Sequence, residues 1–492
     1  MSSSPPPPAS PAESSPALPS AIASPAPAAA SSARARKLDR SIVEGPITRA
    51  VWKLAWPTVL QNAIGGLQGI IDHAMVGHFV GFTGNAAIGV SWQIFLVVIV
   101  FISSLFTGMG VLVARFAGAN EPEKVDRTVY QAFLTALVLA LGIMAPIGYV
   151  LSPHLLELVN ATPEVKAEAM PFLRTMFLFS VGMLLFFMLG GALRSAGDAR
   201  TPLRLGIWMT ILNITFNVVL IPGLGPVPAL GTHGAAIGTV SASLIVSSAA
   251  LWMILTGRLV IHFPRSMSFA PDWGIIRSLF RFGLPAGLQG VAMNIAGVLL
   301  LRFIGSLEHS AEAQAAYAVG YAELFSLITW TSVGLMGAAA AVAGQNLGAG
   351  HPDRAIRGVQ IASRLGLAVA ATIGALFLLI PGPLLGIFGL NDPVVVAVGT
   401  ELLRYLSVSG FFITVALTYT GGLQGTGDTR SPLFITLVSQ VVVPLGLCFT
   451  FQRLGTLEPG DVWTAILAGH FTRCVLSVLR FRQGRWRQIV VE

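Results

Sequence analysis

Twelve long apolar runs, parted by short polar breaks, fill the chain from Val51 to Leu479. A hydrocarbon layer about 30 Å thick is crossed by about 20 residues of helix, and runs of this length are too long for strands. The spans fall near 50–78, 84–113, 127–150, 167–192, 203–222, 233–256, 276–304, 311–342, 355–381, 396–421, 432–452 and 461–481. Hydrophobic residues make up 54% of the chain and charged residues 11%, where a soluble domain carries about 25% charged. The expected fold class is an all-α membrane protein with twelve transmembrane helices.

The net charge of +8 would suggest nucleic acid in a soluble chain, but its distribution gives it another meaning. Basic residues cluster at Arg34 to Arg40, Arg115 to Arg127, Arg194 to Arg204, Arg258 to Arg281, Arg354 to Arg364, Arg430 and Arg480 to Arg487, in alternate loops. By the positive-inside rule both termini are cytoplasmic, and the lipid bilayer, not nucleic acid, is the expected partner. Residues 1–45 are rich in Ser, Pro and Ala and are expected to be a disordered cytoplasmic tail. A Ser-rich, acid-poor leader of this kind is alternatively an organellar transit peptide. Cys448 and Cys474 both lie in apolar stretches, so no disulfide framework or metal-type spacing is expected.

The chain repeats itself. GALRSAGDARTPL at 191–203 matches GGLQGTGDTRSPL at 421–433, 230 residues on. At the same spacing GANEPEK at 118–124 answers GAGHPDR at 348–354, Pro163 answers Pro393, and FLR at 172–174 answers LLR at 402–404. WPTVLQ at 56–61 answers LPAGLQ at 284–289. These pairs imply two pseudo-symmetric six-helix bundles: an N-terminal lobe over 46–257, a cytoplasmic linker over 258–275, a C-terminal lobe over 276–482 and a short basic tail over 483–492. Six is even, so both copies enter the membrane in the same sense, as a parallel repeat. A cleft between the lobes with a central site, opened to each side in turn, is the simplest use of that architecture.

The repeated polar motif is expected to be a hairpin between spans 4 and 5 and again between spans 10 and 11. Gly197 and Gly427 supply the positive φ of a tight turn, next to Asp198 and Asp428. Thr201 with Pro202, and Ser431 with Pro432, read as an N-cap followed by proline in the first helical turn. Arg200 and Arg430 are expected to face lipid headgroups or an acidic neighbour. This reading makes the motif structural.

Several of these pieces resemble one family. The paired (A/T)GD(A/T)R(T/S)P hairpins, GQNLGAG at 344–350, PxxLQ in the first and seventh spans, IDHAMVG at 71–77 and RFRQGRW at 480–486 together resemble the multidrug and toxic compound extrusion (MATE) transporters, over about 46 to 487. The resemblance implies a secondary active antiporter that exports organic, often cationic and amphipathic, compounds in exchange for H⁺ or Na⁺. It implies no cofactor beyond that ion, a monomer, and a place in a bacterial inner (plasma) membrane.

An ionisable group at membrane depth costs roughly 3 kcal/mol on insertion scales, so each is a functional candidate. Asp72 is the foremost: its segment GGLQGIIDHAMVG holds no other acid. A carboxylate there can bind a proton or offer oxygens to a hard cation, with possible Na⁺ at Asp72 as the only metal expected. Asn213 and Asn217 are four apart on one face of the fifth span, within reach of Thr239 in the sixth. The resemblance gives Asp72, Asn213, Asn217 and Thr239 as a cation-coupling cluster. Asn217 stands where many of the family have aspartate, which weakens the case for Na⁺. Glu323 matches a position where the family often has glutamate, and is expected to attract substrate or carry a second proton. His470 is a candidate proton relay. The halves are chemically unequal, since the chain reads VLLLRF at 298–303 where Asp72 would recur.

No HExxH, no GxSxG and no carboxylate pair within one turn of a span is present, so an enzyme is not expected. The alternative to drug export is a flippase or exporter of a lipid-linked or polymeric precursor. Such cargo should draw several arginines into the cavity.

Overall fold

The computed structural model describes residues 38–159, 161–264 and 266–491, apart from the side chains of 82 and 96–103. Its helices in chain order are α1 (Ile47–Phe79), α2 (Phe82–Gly118), α3 (Pro122–Leu158), α4 (Pro163–Leu178 with Ser180–Ser195), α5 (Arg200–Leu220), α6 (Gly231–Leu255), α7 (Trp273–Ile304), α8 (Ser310–Gly348), α9 (Pro352–Leu379), α10 (Pro393–Thr426), α11 (Arg430–Leu454) and α12 (Pro459–Arg482). Among the described residues, nine are each long and apolar enough to cross a membrane, and the two parts of α4, bent by 54° at Phe179, make a tenth. α1 and α2 complete the twelve; α1 is diluted by Gln61, Asn62, Gln68, Asp72 and His73.

Among the described residues, three spans contain a π-helical turn: Leu139–Met144 in α3, Ala318–Leu324 in α8 and Leu437–Val442 in α11. In α3 and α11 a proline, Pro146 or Pro444, follows at once, and the wider turn absorbs its missing N–H. The π turn of α8 is not followed by a proline and carries Glu323.

The lobes meet where glycines let backbones touch. A Cβ on Gly108 or Gly283 would lie 2.0 Å from Leu279 O or 1.8 Å from Ser104 O, at the crossing of α2 and α7. A Cβ on Gly118 would lie 1.9 Å from Gln345 O, and one on Gly348 2.1 Å from Arg115 O, where α2 crosses α8. Gly118 and Gly348 are repeat mates, and so are Arg115 and Gln345, so the second crossing obeys the pseudo-twofold atom for atom. Both crossings lie toward the face that bears the two ends of the chain.

The hairpins form as expected, with one correction. Gly197 and Gly427 have φ of 102° and 100°. The helices begin at Arg200 and Arg430, however, and the caps are the aspartates, not Thr201 and Ser431. Asp198 Oδ1 accepts from the N–H of Arg200 (3.1 Å) and Thr201 (3.0 Å), and its Oδ2 accepts from the Thr201 hydroxyl. Asp428 accepts in the same way from Ser431 N–H and hydroxyl, and also takes Arg480 Nε at 2.9 Å. A carboxylate accepts more strongly than a hydroxyl at the positive end of a helix, which decides the register. Arg200 and Arg430 are exposed, while Pro202 and Pro432 are buried.

The expected tail is shorter at its C-terminal end than 1–45. Residues 1–37 lie outside the described residues, but Ser41–Glu44 is a turn of helix, and Ile42 is fully buried over the first hairpin against Gly197. Asn346 Nδ2 donates to Ile42 O (3.3 Å), and Arg354 Nη2 to Gly45 O (2.7 Å). At the other end Trp486 is buried, stacked on Phe481, and Arg115 Nη2 donates to Ile489 O (2.9 Å). Ile489 packs beside Gly427 of the second hairpin. The GQNLGAG and RFRQGRW stretches thus tie the chain ends across the seam between the lobes.

Candidate functional site

A polar stripe runs along α1. Gln61, Gln68 and Asp72 stand seven and four residues apart, on one face, with Gly65 and Gly69 between them. That face forms one wall of a cavity of about 600 Å³. Trp92 of α2, Met183, Phe186 and Phe187 of α4, Thr210 of α5 and Thr239 of α6 close it, with Trp330 and Val333 of α8 as the C-terminal lobe's share. Its size lies within the range of small-molecule sites, and its wall is largely apolar and aromatic. The site expected between the halves is therefore walled mainly by the N-terminal lobe. The reason is Gly66: a Cβ there would lie 2.3 Å from the Trp330 ring, so its absence lets α8 lie close on α1 and roof the cavity. Asn62 Nδ2 donates to Trp330 O at 3.2 Å across the same contact.

The four residues expected to form a coupling cluster come together. Asn217 Nδ2 donates to Asp72 Oδ1 at 2.7 Å and, longer at 3.4 Å, to Asn213 Oδ1. Asn213 Nδ2 donates to Thr239 Oγ1 (3.0 Å), whose hydroxyl donates to Ala235 O one turn back. Asn213 and Asn217 are fully buried behind the wall, while Asp72 is half-buried and lines the cavity. Asn217 Oδ1 has no hydrogen-bond partner among the described residues; it is turned toward Gly238, where a Cβ would come within 2.3 Å of it. Gly238 is what allows Asn217 to turn its N–H toward the carboxylate. His73 does not pair with Asp72; its Nδ1 bonds Asn85 Oδ1.

Sequence reasoning left Gln61, Gln68 and Thr210 without a role. Thr210 Oγ1 donates to Gln68 Oε1 at 2.8 Å, and Arg194 Nη1 donates to Gln61 Oε1 at 2.8 Å. The repeat mates of Arg194 and Gln61 are Gln424 and Gln289, which bond each other at 3.2 Å, with Gln289 Nε2 passing on to Thr436 Oγ1. The repeated PxxLQ and the seven- and four-residue spacing of Gln61, Gln68 and Asp72 were the available signals.

Glu323 and His470 are not brought to Asp72. Glu323 is exposed on α8, seven residues before Trp330 and so on the same stripe two turns away. It forms no ion pair among the described residues. His470 is buried in the C-terminal lobe, its ring stacked near Tyr321 and Phe325 at 6.4 and 5.7 Å. Met183, Phe186, Phe187 and Trp330 give the cavity its soft and aromatic lining, whereas Met293 and Phe411 lie outside it.

Two tandem matches decide the family. The MatE family model matches residues 57–219 and again 285–450, one copy in each lobe. The chain belongs to the MatE family of membrane transporters. It is 26% identical over 449 residues to the probable multidrug resistance protein NorM of Thermotoga maritima, covering 90% of this chain and 94% of that one. It is also 26% identical over 448 residues to the multidrug resistance protein MdtK of Pectobacterium atrosepticum, covering 88% and 95%. A solved structure, that of a multidrug resistance MATE family transporter in its outward-facing conformation, superposes with a TM-score of 0.83 at 20% identity over 91% of this chain and 98% of that one. This likeness establishes the twelve-helix MATE fold for the chain.

Proposed function

We propose that this MatE transporter exports amphipathic organic cations in exchange for H⁺ by alternating access, and that proton and substrate compete for Asp72. The observation that carries the reading is the position of Asp72, a lone carboxylate on the wall of an aromatic cavity. An organic cation there meets the faces of tryptophan and phenylalanine rings as well as the acid. Protonation removes the negative charge that holds the cation, so each ligand weakens the other by the same factor. The relatives named as multidrug resistance proteins support drugs as the cargo class.

Asn217 supports H⁺ over Na⁺. It presents an N–H to the carboxylate and turns its carbonyl oxygen toward Gly238, while Thr239 Oγ1 already has a donor. A hard cation needs several free oxygens, and few remain. The lipid-linked-precursor reading is disfavoured because no arginine or lysine lines the cavity among the described residues. The bacterial relatives support a place in an inner membrane, and the basic loops support cytoplasmic termini. The test is efflux of a fluorescent organic cation from proteoliposomes under an imposed pH gradient, then a Na⁺ gradient. The expected result is pH-driven efflux abolished in Asp72→Asn; efflux that persists in that variant overturns the assignment.

A further inference from the structure

One buried face of α12 carries His470, Arg473 and Ser477, three and four residues apart and so stacked one turn above another. His470 and Arg473 are each 2% exposed and Ser477 is fully buried. Each holds a polar atom without a hydrogen-bond partner among the described residues: His470 Nδ1, Arg473 Nε and Ser477 Oγ. Among the described residues no carboxylate pairs with Arg473, and its Nη1 reaches the Met293 Sδ of α7, at 3.9 Å. The residues stacked on this part of α12 from α8, Tyr321 and Phe325, bring rings and no negative charge.

The missing partners are of one kind. A guanidinium can only donate, and it keeps its charge in a protein. Water can complete its hydrogen bonds but cannot neutralise it, and a buried, uncompensated charge is strongly destabilising. The ligand that answers both needs is an anion, and the planar fork of arginine matches a carboxylate with two parallel bonds. His470 and Ser477, one turn to either side, each add an unpartnered polar atom on the same face. Met293 is 40% exposed, and its flexible thioether is a movable cover over the guanidinium.

We propose that Arg473 is an anion subsite of the C-terminal lobe, which takes the carboxylate of a zwitterionic amphipathic substrate whose cationic end is drawn to Asp72. This rests on the drug-export reading and adds the anionic half of the substrate. The two lobes then carry opposite charges toward one ligand, consistent with the failure of Asp72 to recur in the second half.

The test is a matched pair of dyes, zwitterionic rhodamine 19 and its cationic ethyl ester rhodamine 6G, whose binding to the full chain in lipid nanodiscs is read by fluorescence anisotropy. Arg473→Gln is expected to raise the Kd for rhodamine 19 at least about tenfold and to leave that for the ester within about twofold, with Arg473→Lys in between. Equal change for both dyes, or change for neither, overturns the proposal. If Arg473→Gln does not fold, Met293→Ala decides: it should tighten rhodamine 19 relative to the ester, and an unchanged ratio overturns the subsite. A wild type that binds neither dye defeats the drug-export reading instead. In that case the thermal midpoint in benzoate decides the subsite, since a rise in wild type absent from Arg473→Lys supports it and no rise overturns it.

Discussion

Gly118→Ala should drive the lobes apart at the chain-terminal face. Its Cβ would lie 1.9 Å from Gln345 O, a backbone atom of α8, and the repeat-related change Gly348→Ala places one 2.1 Å from Arg115 O. Reaching van der Waals contact requires the two backbones to separate by more than about 1 Å. No side-chain rotation relieves it. Overpacking of this kind costs about 1–3 kcal/mol, and it is incurred only while α2 and α8 touch. Taking about 2 kcal/mol, the equilibrium between sealed and open conformers shifts about thirtyfold toward opening at this face. The assay is the distance between spin labels at Arg200→Cys and Arg430→Cys, both on exposed hairpin positions, with Cys448 and Cys474 replaced by alanine. The expected result is a new, longer distance in Gly118→Ala and in Gly348→Ala alike. A distribution identical to the parent in both variants would refute the argument that this crossing is the seal.

The hairpin caps should be unequal. Asp198→Ala is expected to cost about 1 kcal/mol as a lost cap, and Asp428→Ala more, because Arg480 then loses its carboxylate partner; the thermal midpoint in detergent measures both. Asp39 gives a pH dependence. Burial pushes its carboxyl up, but bonding to Lys53 and Ser41 outweighs this and leaves it below its ordinary value of 3.8. Its folded-state pKa is depressed, so its contribution is full above the unfolded value and is lost as pH falls through the folded one; as a partly exposed pair it is worth about 1 kcal/mol or less. The midpoint of wild type should therefore fall more steeply than that of Asp39→Asn between about pH 5 and 3. Asn217→Asp removes the N–H facing Asp72 and adds a second carboxylate, so it should confer Na⁺-stimulated efflux; unchanged indifference to Na⁺ would count against the role given to Asn217.

The architecture was legible because apolar length fixes helices in a membrane and the 230-residue repeat fixes their grouping. Asp72 was legible for the same physical reason, as the one acid in its span. What the sequence did not reveal was contact between remote helices. That Gly66 admits Trp330, and so brings α8 over a cavity walled mainly by the N-terminal lobe, depends on a packing of α1 against α8 that no periodicity encodes. The orientation of the Asn217 amide depends likewise on Gly238 across the α5–α6 contact. Glu323 and His470 read as candidates beside Asp72 because depth in a span is visible in sequence and facing is not. The caps were misassigned by three residues because Thr-Pro and Ser-Pro are good cap signals, and only the fold shows that a stronger acceptor precedes them.

Competition between proton and substrate at Asp72 is most directly tested by counting protons. Tetraphenylphosphonium is titrated into the purified protein in weakly buffered solution between about pH 6 and 8 while proton release is recorded. The account predicts that wild type releases protons in proportion to bound cation, up to one each, and that Asp72→Asn releases none. Equal release from the variant, or none from wild type across that range, would contradict it.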